Sequence, residues 1–183
     1  KQNLSNSDIF YAFKNTKRFL SFLLKENLLE LNDFFAENLS SKKCRELNYL
    51  HFLYPEIKPF ISKPMIRKIE RELPEDYLER KKKGENDNFV CSLIRDDLDQ
   101  QFISYMNEHK EKNEFNSTIK ESIFETNIFL LDNDPTLIEY AAFFGSFKIF
   151  RYLHSNNVEL TPSLWLYAIH GRNMEIINYL IEN

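Results

Sequence analysis

The sequence predicts an all-α fold made of repeated helix pairs, and three observations lead there. Glycine is scarce, apolar residues recur at helical spacing, and a stretch near the C-terminus returns after 27 residues. The chain has 3 glycines in 183 residues, where ordinary usage would give roughly 13. Tight hairpins need glycine at their turns and phosphate loops need it for close backbone approach, so both are disfavoured. When Pro135–Leu153 is set beneath Pro162–Leu180, seven of nineteen positions are identical, against about one by chance. They are Pro135/Pro162, Leu137/Leu164, Tyr140/Tyr167, Ala141/Ala168, Ile149/Ile176, Tyr152/Tyr179 and Leu153/Leu180. Repeats at such periods are the mark of stacked architectures.

Each copy reads as two short antiparallel helices. Asp134 and Thr161 precede the prolines and are expected as N-caps, with proline in the first turn. Leu137, Ile138, Ala141 and Ala142 form one face at 3.6-residue spacing. Gly145 is expected to close that helix, since a left-handed residue is cheap only without a Cβ. The second helix carries Ile149, Phe150 and Leu153 inward, in the pattern apolar-apolar-x-Tyr-apolar: "IFRYL", then "IINYL".

Upstream the same pattern recurs less cleanly. "FLSFL" (Phe19–Leu23) follows "YAFKNTKR", with Ala12 at the Ala142 position and Asn15 at the Gly145 position. "LLELNDFFAENL" and "CRELNYLHFL" are expected as amphipathic helices, and "YPEIKPFISKP" holds three of the six prolines in a bend. "PEDYLERKKKGENDN" reads as a charged helix end and loop, with Lys81, Lys82 and Lys83 solvated at a helix C-terminus, where basic groups suit the dipole. "SLIRDDLD" and "FISYM" (Phe102–Met106) form a third helix pair, Leu98-Asp99 corresponding to Met174-Glu175 with one extra residue nearby.

Charge and composition exclude several roles. The formal net charge of −4 offers no basic excess for holding a polyanion, so nucleic acid is not expected as a partner. No apolar run approaches the ~18 residues of a membrane span, so no membrane insertion is expected. Cys44 and Cys91 form no CxxC pair and are expected to be buried thiols in a reducing, cytoplasmic setting. The sequons at Asn3, Asn38 and Asn116 are expected by chance in an Asn-rich chain. His51, His109, His154 and His170 lack metal-ligand spacing with either cysteine. Asp96, Asp97 and Asp99 lack the glycine and final Glu of a calcium loop and read as cap and surface residues at a helix start. No nucleophile elbow, zinc-protease, Walker or dinucleotide motif is present. No metal and no cofactor are expected. A Cys91 pairing with His109 or His170 stays open, with nothing visible to activate it.

"TLIEYAAFFGSFKIFRYL" resembles the ankyrin repeat, with Thr136, Ala141, Ala142, Gly145, Ile149, Phe150 and Leu153 on its fixed positions. "YAIHGRNMEIINYL" follows it through Ala168, Met174, Glu175, Ile176, Ile177 and Leu180, but Arg172 stands at the glycine position. Through "KKGENDNFVCSLIRDDLD", "LIEYAAFFGS" and "ELTPSLWLYAIHGRN", most of the chain also resembles a domain of unknown function that accompanies ankyrin repeats in some single-celled eukaryotes. The 27-residue period falls short of the ~33 of an ankyrin unit. The resemblance therefore implies an ankyrin-like solenoid whose β-turn fingers are short or missing.

The expected organisation is a divergent helical region over 1–88 continuous with the stack, a degenerate unit and connector over 89–133, and two ankyrin-like repeats over 134–183 that continue beyond Asn183. Ala141 and Ala142 are small because a neighbouring helix crosses there. The resemblance puts Phe143 and Phe144 at positions that often face a partner; packing against an adjacent unit is the favoured alternative, since large apolar groups are usually buried. Trp165 is read as core, with a second anchor as the alternative, and His170 joins the candidate partner-binding residues. The expected function is non-catalytic docking of another protein, which the sequence does not name. Two rivals stand beside it: a capping or autoinhibitory segment of a longer ankyrin array, and an enzyme with its site in residues 28–100.

Overall fold

The computed structural model describes residues 5–14, 16–31, 49–109 and 115–183. The chain is all-α: it is mostly helical, and among the described residues the only extended pairing is an isolated antiparallel bridge between Thr118 and Thr136. It divides into two compact units, residues 1–86 with 122–132, and residues 87–121 with 133–183.

In the first unit, α1 (Asn6–Phe13) opens on a reciprocal capping box between Ser5 and Asp8. Helix α2 (Lys17–Lys25) turns Leu20, Leu23 and Leu24 into a core shared with Phe10, Leu29, Tyr49, Phe52, Leu53 and Ile57. That stripe uses the i, i+3, i+4 spacing, which leaves Phe19 and Phe22 on the flanks, 39% and 49% exposed. "FLSFL" thus sits differently from "IFRYL", whose Ile149, Phe150 and Leu153 are all buried. Asn27 closes α2 in the left-handed conformation (φ 53°), and the Leu28 N–H donates to the Leu23 carbonyl at 2.9 Å. Leu28–Leu31 therefore follow the turn as a bend and irregular chain, where an amphipathic helix was expected. The rest of that stretch, residues 44–48 with Cys44, and Asn3, Asn15 and Asn38 lie outside the described residues.

Short helices follow: α3 (Tyr49–Phe52), α4 (Tyr54–Ile57), a 3-10 turn at Lys58–Phe60, α5 (Lys63–Glu72) and α6 (Tyr77–Lys83). Pro55, Pro59 and Pro64 each sit in a first turn, where a missing N–H costs no hydrogen bond. The bend is a series of helix starts. Gly84 caps α6 (φ 67°), so the basic run does end a helix. Lys81, however, is not solvated: its ammonium lies 2.7 Å from the Glu56 carboxylate, with both side chains largely buried. Burial lowers its pKa, against the raising effect of Glu56. Lys17 is also buried, its Nζ donating to the carbonyls of Ile123 (3.2 Å) and Glu125 (3.1 Å). This ties residues 122–127 to the unit, as does Thr126 Oγ1 donating to the Gly84 carbonyl. Helix α9 (Ile128–Asn133) follows that segment.

Among the described residues the second unit contains three helix pairs: α7 (Phe89–Arg95) with α8 (Asp99–Glu108), α10 (Leu137–Phe144) with α11 (Phe147–Ser155), and α12 (Leu164–Gly171) with α13 (Met174–Glu182). All three turns share one design: a left-handed residue, a single linking residue, then the second helix. They read Asp97-Leu98-Asp99, Gly145-Ser146-Phe147 and Arg172-Asn173-Met174, with φ of 47°, 71° and 53° at the first position. Asp97 stands where the second copy has Gly145, so the extra residue of the first pair falls between the turn and "FISYM".

Both expected N-caps move two residues on. Helix α10 is capped by Thr136, in a reciprocal box with Glu139. Asp134 is instead left-handed (φ 42°), and the Pro135 carbonyl accepts the Ile119 N–H at 2.7 Å. Helix α12 follows Ser163, because Thr161 and Pro162 are spent on a turn in which the Leu164 N–H reaches the Thr161 carbonyl. The stretch between α11 and α12, residues 156–163, contains no strand.

Candidate functional site

Ala141, Ala142 and Ala168 are fully buried. The close approach at this seam comes from Gly171, the last residue of α12. A Cβ placed there would fall inside the van der Waals surface of the Ala142 carbonyl oxygen and 2.7 Å from that of Phe143. A backbone oxygen cannot swing aside, so only glycine fits. The copy's glycine is one residue short of the turn because packing, not the turn, requires it. Arg172 takes the left-handed position instead, at φ 53°.

Side chains at each turn bind the pairs together. Asp97 accepts the N–H groups of Lys148 (3.3 Å) and Ile149 (3.1 Å), capping α11 from the preceding pair. The Ser146 hydroxyl donates to the Ile94 carbonyl. Asn173 Nδ2 donates to the Gly145 carbonyl at 2.9 Å, while its Oδ1 caps α13. Of the three aspartates expected as cap and surface residues, Asp97 is the side-chain cap, and it serves the next pair's helix; Asp96 is exposed at the end of α7 and Asp99 lies in the first turn of α8. At the other end, Glu139 accepts the Ser163 hydroxyl at 2.6 Å.

The recurring tyrosines also face backwards. Tyr152 meets Phe102 edge-on at 6.1 Å. Tyr179 lies against Phe147 (6.0 Å) and Phe150 (5.9 Å), and its hydroxyl is 2.7 Å from His154 Nδ1. Tyr152 and Tyr179 thus each cover the second helix before their own, whereas Tyr105, the signature tyrosine of α8, lies against Phe89 and His109.

The repeat register makes the last pair informative. Ile138, Glu139 and Ala142 of α10 are buried. Their equivalents 27 residues later, Trp165, Leu166 and Ile169, are 39%, 56% and 60% exposed. In the second helices, Phe150 and Leu153 are buried, Ile177 and Leu180 are half-buried, and Ile181 is 69% exposed. Ile176 remains fully buried. Trp165 is therefore not core: it heads an apolar face across α12 and α13.

The other candidate residues sit at the C-terminal ends of the first helices. Phe143 and Phe144 are half-buried, 5.0 Å apart, with Phe144 against Tyr140 (4.7 Å) and Phe143 stacked on the exposed His170 (5.8 Å). The structure so brings Phe143, Phe144 and His170 together. Leu153 is buried in α11.

The first unit offers a separate surface. Phe19 and Phe22 of α2, with Ile128 and Phe129 of α9, line an open groove of about 490 Å³. The repeat signature assigns Phe19 inward, at the Ile149 position; Phe22 falls at its tyrosine position, and the pattern does not reach Ile128 or Phe129.

Several titratable groups are taken up by neighbours. Glu70 is held below its usual range by hydrogen bonds from Lys58 and then Tyr54, and Glu72 by one from His51. Cys91 is a buried thiol; His109 Nδ1 is 2.9 Å from the Tyr105 carbonyl. Among the described residues no three His, Cys, Asp or Glu side chains gather as a metal site, and no helix is long and apolar enough to cross a membrane. Comparisons of the chain with protein-family models, curated proteins and solved structures give no match.

Proposed function

We propose that the chain is a non-catalytic, ankyrin-like stack of helix pairs that docks another protein, and that the uncovered face of α12 and α13 is where it docks. One observation carries the reading: positions buried in α10 by the next helix pair are exposed and more apolar in α12. Stacked repeats bury a continuous core through their neighbours and need a polar outer face where they end. Leu166 in place of Glu139 and Ile181 in place of His154 make this face the opposite of polar. Large exposed apolar patches mark interaction sites, and tryptophan is enriched among the residues that dominate interface energies. A cytoplasmic setting suits the reading, since Cys91 would stay reduced there.

The docking role is tested with the full chain immobilised and its Leu166→Lys/Ile169→Lys variant beside it. Both positions are exposed, so circular dichroism should find the variant folded. The proposal expects a reproducible partner on the parent chain that the folded variant loses. Identical captured sets from both would contradict it. The exposure of Ile181 also favours a second reading, in which the chain is an end segment of a longer ankyrin array and the docked protein is a further repeat.

A further inference from the structure

Resting on this docking reading, we infer that the occupant of the face is a helix pair built like α12 and α13, seated in the same register. The interface between α10/α11 and α12/α13 supplies the template. Its lower side presents Ile138, Glu139 and Ala142 on the first helix and Phe147, Phe150 and His154 on the second. Its upper side answers with Gly171 against the α10 backbone, Tyr179 over the second helix, and Asn173 donating at the turn. The exposed face repeats the lower side in outline, with Trp165, Leu166 and Ile169, then Met174, Ile177 and Ile181.

The width of the face selects the occupant. It spans two antiparallel helices, whose axes pack ~8–10 Å apart, so two helices cover it and a single strand does not. Helical backbone offers no free ladder of N–H and C=O groups for an extended peptide to pair with. The chemistry refines the choice. The occupant's first helix carries a small residue where Gly171 stands, so that backbones can approach. Its second helix carries an aromatic where Tyr179 stands. Where Ser163 meets Glu139, the occupant must be apolar to meet Leu166, since a hydroxyl there would be buried without a partner.

The test extends the full chain by one designed helix pair carrying these features, and reads Trp165, the single tryptophan. Acrylamide quenching should fall several-fold on extension, and the urea midpoint should rise. Ile169→Lys in the extended chain should cancel both gains while leaving the unextended chain folded. An extension that is helical by circular dichroism yet leaves Trp165 as quenchable as before overturns the inference, and so does one that stays unfolded. Dimerisation of the unextended chain that protects Trp165, and that Ile169→Lys abolishes, would assign the face to a second copy and equally overturn it. Partner capture lost in the Leu166→Lys/Ile169→Lys variant, with no response to extension, would sink the helix-pair occupant and leave docking intact.

Discussion

Gly171 and Arg172 divide two tasks: Gly171 makes room for the α10 backbone, and Arg172 takes the left-handed turn position that Gly145 holds in the preceding copy. Gly171→Ala would drive a methyl group into the Ala142 carbonyl, and overpacking of this kind costs ~1–3 kcal/mol. A lower urea midpoint with unchanged slope is the expected result. Arg172→Gly relieves a left-handed arginine and should stabilise by up to about 1 kcal/mol, read in the same way. Tyr167 gives a pH signature. Burial first, and then the charges of Glu139 and Asp134, push its phenol up to about 12. The fold favours the neutral phenol, so this contribution is constant below the ordinary tyrosine value of about 10. It is lost as pH rises from there towards about 12, because the unfolded chain ionises first. Tyr167→Phe should flatten the loss of stability over that window, measured by urea titration at stepped pH.

At the scale of the element, the turn residues connect one helix pair to the next. Asp97→Ala removes the acceptor for two N–H groups at the start of α11, a loss of about 1 kcal/mol by analogy with other caps. Asp97→Asn should retain only part of it, because the two N–H groups go to different carboxylate oxygens and the amide keeps one of them. A comparable drop in both variants would mean that the second carboxylate oxygen and its charge set the cost, since asparagine tolerates φ 47° as well as aspartate does. In the first unit, Glu56→Gln leaves the Lys81 ammonium buried beside a neutral amide. Breaking a buried pair from one side costs on the order of 3 kcal/mol, so a large fall in thermal stability is expected.

At the scale of the whole molecule, the helices and the seam could be read in advance because both are written locally. Helix class follows from spacing, the end of α10 from Gly145, and the buried seam from Ala141, Ala142 and Ala168, while its closest approach, at Gly171, carried no such signal. The helix starts were misplaced because Thr136 could be preferred over Asp134 only once Glu139 was seen to complete its box and Ile119 to occupy Pro135. Lys81 looked solvated because Glu56, its partner, is 25 residues away. Trp165 looked like core because burial was inferred from residue type. Its exposure follows from the absence, among the described residues, of any element packed over that face of α12, and not from residue type. Phe143 and Phe144 fall between the two readings, each ring half covered by aromatic neighbours.

Docking at α12 and α13 requires that face to be open. The direct measurement is acrylamide quenching and the emission maximum of Trp165 in the unliganded full chain. A red-shifted, readily quenched tryptophan in a monomer is the predicted result. Blue-shifted emission from a tryptophan that the quencher cannot reach would contradict it, because the surface offered for docking would already be covered.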